Sequence, residues 1–410
     1  MKRVLVGMSA LMCTFLLTGC GSSGAKEGDV VHLEFFSNKS ESISTYEGMI
    51  EKFEKEHPNI DVSLYAPPEA ETVLRTRLVK NDLPDVVSLG GNALYSELAQ
   101  AGILTNYENS SLLNGIQPAY IEMLEELEGS ETKGIHGIPY AANANAVIYN
   151  KDKMKELDGK VPETWDEFIA LLEKAQDAGE IPIYFTLKDA WTGLIPWNAV
   201  GGNLQPDSFA EKKSNGEASF ESDYEETAQK TKQLLNYGHK HMYGMAYNEG
   251  NNAFANGEGL FYLQGNWAIP ELLKVNPEAN LGVFPLPVSN NPKENELVSG
   301  VDVLLSTLKD SKHPKEAEMF LEFMTEEAQS EQYMEEQFAF SVIEGLYPSD
   351  PKLAGFRENF ESGKITSFPD HYYPVGMGAE NLIQEFYYRK NVTAFLKKMD
   401  NEWDKIERRR

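Results

Sequence analysis

The sequence predicts an α/β protein built from two units, and three observations support this prediction. In the N-terminal quarter, strand-like and helical segments alternate, an order that places helices on both faces of a mostly parallel sheet. The same alternation recurs after residue 146. The chain has 410 residues, of which 41% are apolar. Because most domains have about 100–200 residues, a chain of this length is expected to form two domains, each with its own hydrophobic core.

Apolar runs and amphipathic spacing define the elements of the first unit. The helix predicted at 44–57 presents Met49 and Phe53 on one apolar face. Pro58 ends this helix because proline disfavours helical backbone in the residue before it. The predicted strands are 30–36, 60–65 and 85–89, and the other predicted helices are 69–80 and 93–101.

The second unit shows the same alternation with one strong helix signal. Thr164 and Glu167 have the spacing of a capping box, so a helix is predicted over 164–178. After Trp267, Pro270 is expected to close a short helical start. The predicted strands are 147–150, 183–186, 259–263, 281–284 and 303–305, and the other predicted helices are 224–237, 314–324, 326–335 and 382–406.

The first twenty residues have the features of a cleaved leader. Lys2 and Arg3 precede an apolar run over 4–17 that is too short to span a membrane, and Leu-Thr-Gly-Cys follows at 17–20. These four residues resemble a bacterial lipobox, in which the cysteine carries lipid; the alternative is an ordinary secretory signal. We expect a signal peptide at 1–19, lipidation at Cys20 and a flexible linker at 20–28, with the mature net charge falling from −27 to −29.

Charge and motif content exclude several functional classes. A net charge of −27 argues against a nucleic-acid partner, which needs a clustered basic face. The sequence has no G-x-S-x-G elbow, no H-E-x-x-H and no phosphate-binding glycine loop, so neither a cofactor nor a metal is predicted. His239 and His241 lack a third ligand at suitable spacing and are expected in a polar surface loop.

Three tryptophans lie outside clean amphipathic helices. Trp191 and Trp197 flank a segment that is too short and too broken by Gly and Pro for a core helix, and Trp267 follows a strand end. Indole faces stack on the CH-rich faces of sugar rings, so these side chains are candidate sugar platforms. The alternative is that they anchor loops in the core.

Several features of the sequence occur in a recognisable order. They are the lipobox, the first strand with its polar exit, LPDVVSLGGNALYSELAQAGIL, GIHGIPYAANANAVIYNKDKM, PETWDEF, GNWAI and HPKEAEMFLEFMTEEAQ. In this order they resemble the extracellular solute-binding proteins, family 1, of carbohydrate ABC importers. Within that family the chain is most similar to the multiple-sugar-metabolism binding lipoproteins of Gram-positive bacteria, and the resemblance covers nearly the whole mature chain.

The resemblance implies a periplasmic-binding-protein-like fold whose two lobes close on a sugar. The first lobe is then expected at 29–140 and 264–336, and the second at 141–263 and 337–410. Some relatives have an aromatic pair after the first strand where this chain has 37–40, so stacking in that lobe is expected to be thinner. The implied ligand-binding positions are Asn38, Glu41, Asn92, Asn143, Asn145, Trp267 and Asp302, with Tyr373 and Met377 from a late cleft loop.

The resemblance also implies a role. The protein would be a monomeric, lipid-anchored receptor outside the cell that delivers an oligosaccharide, for example an α-galactoside, to a membrane permease without chemical conversion. The alternatives are a secreted carbohydrate-active enzyme that uses two cleft carboxylates and a receptor for polyamine, metal or phosphate-type solutes. Several site residues also have purely structural interpretations: Asn143 and Asn145 could satisfy backbone groups, Glu41 could stabilise a helix start and Asp302 could end a strand.

Overall fold

A computed structural model of the chain describes residues 30–67, 70–129, 132–347 and 350–409. The expected leader, the expected lipidation site Cys20 and the whole of the predicted linker at 20–28 lie outside these described residues. Within them, no helix combines the length and the apolar composition that crossing a membrane requires.

A ten-stranded sheet organises the described chain, in the order β2-β1-β3-β8-β4-β6-β5, with β10 on β8 and both β7 and β9 on β4. Strand β1 pairs in parallel with β2 and with β3. The pairs β3–β8, β8–β4 and β4–β6 are antiparallel. The sheet is therefore mixed rather than mostly parallel. The strands are Val31–Ser37 (β1), Ile60–Tyr65 (β2), Val86–Leu89 (β3), Ile138–Asn150 (β4), Ile183–Tyr184 (β5), Phe261–Gly265 (β6), Leu281–Phe284 (β7), Leu297–Thr307 (β8), Phe340–Ser341 (β9) and Ile365–Thr366 (β10).

Seventeen α-helices are found in the described residues, and the predicted capping box is present at the start of α6. They are Ile43–Glu56 (α1), Ala70–Val79 (α2), Ala93–Gln100 (α3), Pro118–Glu128 (α4), Lys151–Glu156 (α5), Trp165–Asp177 (α6), Leu194–Leu204 (α7), Phe209–Ser214 (α8), Phe220–Asp223 (α9), Glu225–Leu234 (α10), Tyr247–Ala255 (α11), Ala268–Val275 (α12), Pro314–Met324 (α13), Glu327–Gln337 (α14), Arg357–Ser362 (α15), Ala379–Arg389 (α16) and Val392–Glu407 (α17).

Three helix predictions were wrong for identifiable reasons. The stretch predicted as one helix at 382–406 is two helices, because Lys390 adopts a left-handed conformation with φ 56°. Residues around Pro196 do form a core helix, α7, and Pro270 lies inside α12 rather than closing it. In both helices the proline lies in the first turn, where a backbone N–H has no intrahelical partner and its loss costs little.

Two hydrophobic cores lie along this sheet. The first contains the aromatic cluster of Phe35, Tyr46, Phe53 and Phe320, and the second contains Trp197 and the residues around it. Strand β4 contributes side chains to both cores, since Ile148 packs in the first core and its neighbour Val147 packs in the second. Buried side chains between Phe340 and Ile365 pack with the first core, although the sequence-based division placed that segment in the second lobe.

The two longest strands run between the cores and were only partly predicted. Strands β4 and β8 pair antiparallel, with Asn143 opposite Gly300 and Ala144 opposite Ser299. The sequence predicted only 147–150 and 303–305, because the polar residues and glycine upstream interrupt the apolar pattern of each strand. These interruptions are where the candidate site lies.

Candidate functional site

The site lies at a crossing of three strands between the two cores. Asn266, immediately after β6, is 2% exposed and joins two segments through its amide. Its Oδ1 accepts from the backbone N–H of Ala144 at 2.8 Å, and its Nδ2 donates to the carbonyl oxygen of Phe338 at 2.7 Å. A buried amide satisfied at both ends fixes where the chain leaves β6, and hence where Trp267 begins.

A polar cluster occupies one face of this crossing. The Lys39 ammonium and the Asn143 amide both donate to Oδ1 of Asp302, each at 2.7 Å. Lys39 comes from the exit of β1, Asn143 from β4 and Asp302 from β8, so three elements meet at one carboxylate oxygen. The side chains of Lys39 and Asp302 are 17% and 21% exposed, which leaves the pair reachable from solvent.

An aromatic ring lies at the end of β6, the strand that pairs with β4. Gly265 pairs with Asn145 across β4 and β6, and the ring of Trp267 folds back over Gly265. An added Cβ at Gly265 would lie under 3.0 Å from three ring carbons of Trp267, so only glycine admits the ring there. Trp267 is partly buried, and its Nε1 is buried with no hydrogen-bond partner among the described residues.

Two further polar atoms at the crossing lack partners in the described structure. Asn143 Oδ1 and Asn145 Oδ1 are both buried without a hydrogen bond, although Asn145 Nδ2 donates to the carbonyl oxygen of Ile195 at 3.1 Å. Side chains two residues apart on a strand share one face, and residues paired across strands do too. The two amide oxygens and the indole of Trp267 therefore face the same side of the sheet.

Trp191 lies in the 3-10 turn Ala190–Gly193 and is one of the exposed aromatic residues. Its side chain is 39% exposed and meets Tyr247 edge-on at 4.9 Å between ring centroids. The carboxylate of Asp189 accepts from the Tyr247 backbone N–H at 2.7 Å, which ties the two segments together. Burial raises the pKa of Tyr247 to about 12.

Two predicted residues on the β1 and β3 side have structural partners. The Asn38 amide, oriented to satisfy its neighbours, donates to the Ser88 carbonyl oxygen and accepts from Gly90 N–H, both at 3.1 Å. Asn92 is the N-cap of α3: its Oδ1 accepts from Leu94 N–H at 3.0 Å. Both remain partly exposed at the strand ends.

Glu41 occupies the 3-10 turn Ser40–Ser42, and its side chain is outside what the structure describes. The structure therefore adds nothing to the prediction that this carboxylate contacts ligand.

Three predicted ligand contacts are core residues instead. Trp197 is 0% exposed, stacks on Tyr224 at 5.3 Å, and donates from Nε1 to the Tyr373 hydroxyl at 3.0 Å. Tyr373 and Met377 are buried in the same core. The prediction for Trp197 failed because it rested on the absence of a helix, whereas α7 exists and directs this ring inward. Burial of Tyr373 and Met377 likewise removes them from any solvent-facing cleft surface.

Sequence reasoning missed Lys39, Asn266 and the aromatic partner Tyr247. Lys39 lies in the polar segment after the first strand, from which only Asn38 and Glu41 were predicted to contact ligand. A lone lysine near a strand end carries no sequence signal for an aspartate 263 residues away.

The described residues also contain no cluster of three or more His, Cys, Asp or Glu side chains able to hold a metal ion. His239 bonds the Phe185 carbonyl oxygen at 2.8 Å.

Comparison with known proteins agrees with this architecture. Residues 37–331 match the family described as bacterial extracellular solute-binding protein. The chain is 30% identical to the multiple sugar-binding protein of Streptococcus mutans over 353 residues, covering 83% of this chain and 82% of the relative. It is 23% identical to the melibiose/raffinose/stachyose-binding protein MelE of Bacillus subtilis over 345 residues, covering 81% and 79%.

Solved structures of solute-binding proteins are similar in fold to this chain. The solute-binding protein RafE in complex with raffinose superposes with a TM-score of 0.75 at 26% identity, covering 92% of this chain and all of RafE. The apo form of RafE from Streptococcus pneumoniae gives 0.77 at 26% identity, covering 94% and 100%. The two-lobed α/β fold is thereby confirmed, and the family is one of extracellular binding proteins rather than enzymes. This chain belongs to the bacterial extracellular solute-binding proteins, as its ordered motifs indicated.

Proposed function

We propose that this protein captures an oligosaccharide outside the cytoplasm and delivers it to the membrane permease of an ABC importer. The names of its relatives support a sugar as the ligand, and an α-galactoside such as raffinose or melibiose is our specific choice because MelE and RafE are described with such sugars. In this proposal the two lobes close over the sugar at the strand crossing.

One observation carries the proposal: two amide oxygens of β4 and the indole N–H of Trp267 are buried without described hydrogen-bond partners. Asn143 Oδ1 and Asn145 Oδ1 are acceptors, and Trp267 Nε1 is a donor. An unpaired buried polar group costs about 1–3 kcal/mol, so several at one place indicate a ligand that supplies the missing partners. Sugars supply both hydroxyl donors and acceptors at the ring edge and an apolar face for the indole.

The charge of the cluster also suits a neutral ligand. Asp302 has Lys39 as an ion-pair partner, so the carboxylate and the ammonium compensate each other. A phosphate-type ligand would need a surplus of positive charge, and a polyamine a surplus of negative charge. The Lys39–Asp302 pair by itself supplies neither surplus, which supports a hydroxyl-rich neutral ligand.

The remaining parts of the role concern attachment and assembly. Cys20 in its lipobox would hold the mature protein on the outer face of the membrane, with 20–28 as a tether. We further propose that the receptor works as a monomer. Palmitate labelling of the wild type and of Cys20→Ser tests the anchor, and no label in either protein would refute it.

Calorimetric titration of the full chain with raffinose, melibiose, stachyose and maltose tests the sugar proposal. We expect saturable binding of at least one α-galactoside and a ligand-dependent rise in melting temperature. Chromatography of the same mixtures tests the enzyme alternative, since a receptor releases no hydrolysis products. Failure to bind any sugar overturns the proposal, and monosaccharide release would favour the two-carboxylate enzyme.

A further inference from the structure

A long-range ion pair sits at the centre of the site and was not foreseen from the sequence. Lys39 and Asp302 are 263 residues apart in sequence, yet their side chains meet at 2.7 Å. Both are largely enclosed, at 17% and 21% exposure. Ion pairs on open surfaces contribute little, whereas a largely enclosed pair holds its geometry more firmly because solvent screens it less.

The geometry at Asp302 is asymmetric. Lys39 Nζ and Asn143 Nδ2 both donate to Oδ1, each at 2.7 Å. No hydrogen bond from the described residues reaches the other oxygen, Oδ2. An ionised carboxylate has about four lone-pair sites and only accepts hydrogen bonds. The two donors thus fix the orientation of Asp302 and leave one oxygen available for a donor from outside the protein.

We propose that Lys39 is a positioning residue that sets ligand specificity through Asp302. Lys39 holds the carboxylate turned so that Oδ2 accepts from a hydroxyl of the ligand. This inference rests on the proposed sugar-binding function and adds a chemical restriction to it. The bound ring must present a hydroxyl at Oδ2, and a ring that presents a carboxylate there, as a uronic acid does, is rejected because that group has no proton to donate.

Two substitutions at Lys39 distinguish the effect of its charged donor on the orientation of Asp302 from the effect of its side-chain volume. Lys39→Met keeps an unbranched side chain only one heavy atom shorter and removes the charged donor, whereas Lys39→Arg keeps a charged donor. With raffinose as the probe, we expect Lys39→Met to bind about tenfold to a hundredfold more weakly, as for loss of a charge-assisted hydrogen bond. Lys39→Arg should recover most of that loss. Lys52→Met is the matched control, because Lys52 is an exposed lysine of α1 bonded to Gln332.

A double-mutant cycle distinguishes action through Asp302 from direct ligand contact. If Lys39 acts through Asp302, then Lys39→Met should add less than a threefold loss once Asp302→Asn is present. A loss of tenfold or more in the Asp302→Asn background would mean that Lys39 binds the sugar itself, and the inference would be refuted. Melting curves of every variant, measured without sugar, show whether the folded fraction is the same.

The outcomes also separate this inference from the proposed function. If the wild type binds raffinose or another sugar of the panel and Lys39→Met binds it equally well, only the positioning role fails. If the wild type binds no sugar, the proposed function fails and this inference falls with it. A galacturonic acid trisaccharide that competes as well as its neutral counterpart would refute the stated specificity.

Discussion

Replacing Gly265 with alanine should displace the indole of Trp267 while leaving the sheet in place. Gly265 has backbone angles that other residues adopt, so alanine meets no conformational penalty there. The new methyl group would lie under 3.0 Å from three ring carbons, whereas ordinary contact begins at 3.4 Å. Because pairing with β4 holds the backbone of β6, the ring must move away.

The expected loss of affinity follows from the contact area of one indole face. A fully enclosed aromatic side chain buries about 150–250 Å², so one face against a sugar covers roughly 100 Å². At about 25 cal/mol per Å², losing that contact weakens binding by about 2.5 kcal/mol, or roughly sixtyfold. Folding stability should change little, since Gly→Ala reduces the entropy of the unfolded chain and offsets part of the lost ring packing.

Calorimetric titration with raffinose and scanning calorimetry of the same samples provide the two readouts. Trp267→Ala should lose affinity to a similar degree, because it removes the ring that Gly265→Ala displaces. Gly48→Ala is the control: it lies in α1, and its Cβ would meet Gln332 Nε2 at an ordinary 3.8 Å. Wild-type affinity in Gly265→Ala, together with a clear fall in melting temperature, would mean that Trp267 packs the core and does not face the ligand.

Three further substitutions test two residues of the candidate site and one residue of the second core. Asn266→Ala removes both hydrogen bonds of a 2% exposed amide and leaves Ala144 N–H and Phe338 C=O without partners, so the unfolding free energy should fall by about 2–4 kcal/mol in denaturant titration. Tyr373→Phe removes the acceptor of the Trp197 indole N–H and should cost about 1 kcal/mol in the same assay, with raffinose affinity unchanged; a weakened affinity would return Tyr373 to the site. Trp191→Ala should leave the melting temperature within a few degrees, because the side chain is 39% exposed, yet weaken sugar binding severalfold; unchanged affinity would remove Trp191 from the cleft.

Local signals in the sequence predicted helices well where a single face is buried. The capping box at Thr164 and the apolar stripe after it gave α6 within a residue at each end. The helix predicted at 314–324 is α13 as observed. Each of these elements buries one face against a core, so periodicity and capping contain most of the information needed to place it.

The crossing strands could not be predicted in the same way. Strand β4 runs from Ile138 to Asn150, but Asn143 and Asn145 interrupt its apolar pattern. Because both side chains are polar, a rule based on the burial of apolar residues reads the segment as a loop. The partner of Asn143, Asp302, becomes a neighbour only through the pairing of β4 with β8, which no local pattern encodes.

The five tryptophans show which observations separate a core residue from a candidate ligand platform. Burial alone excludes Trp197 and Trp403 as candidate ligand platforms, because they are 0% and 2% exposed. Both pack among aromatic rings of the second core. An unpaired indole N–H alone is not decisive, since Trp403 Nε1 and Trp267 Nε1 both lack described partners. Trp267 combines partial exposure, an unpaired donor and a glycine beneath its ring. Trp267 also packs against the first core, so its contact with a ligand remains the prediction that Gly265→Ala and Trp267→Ala test.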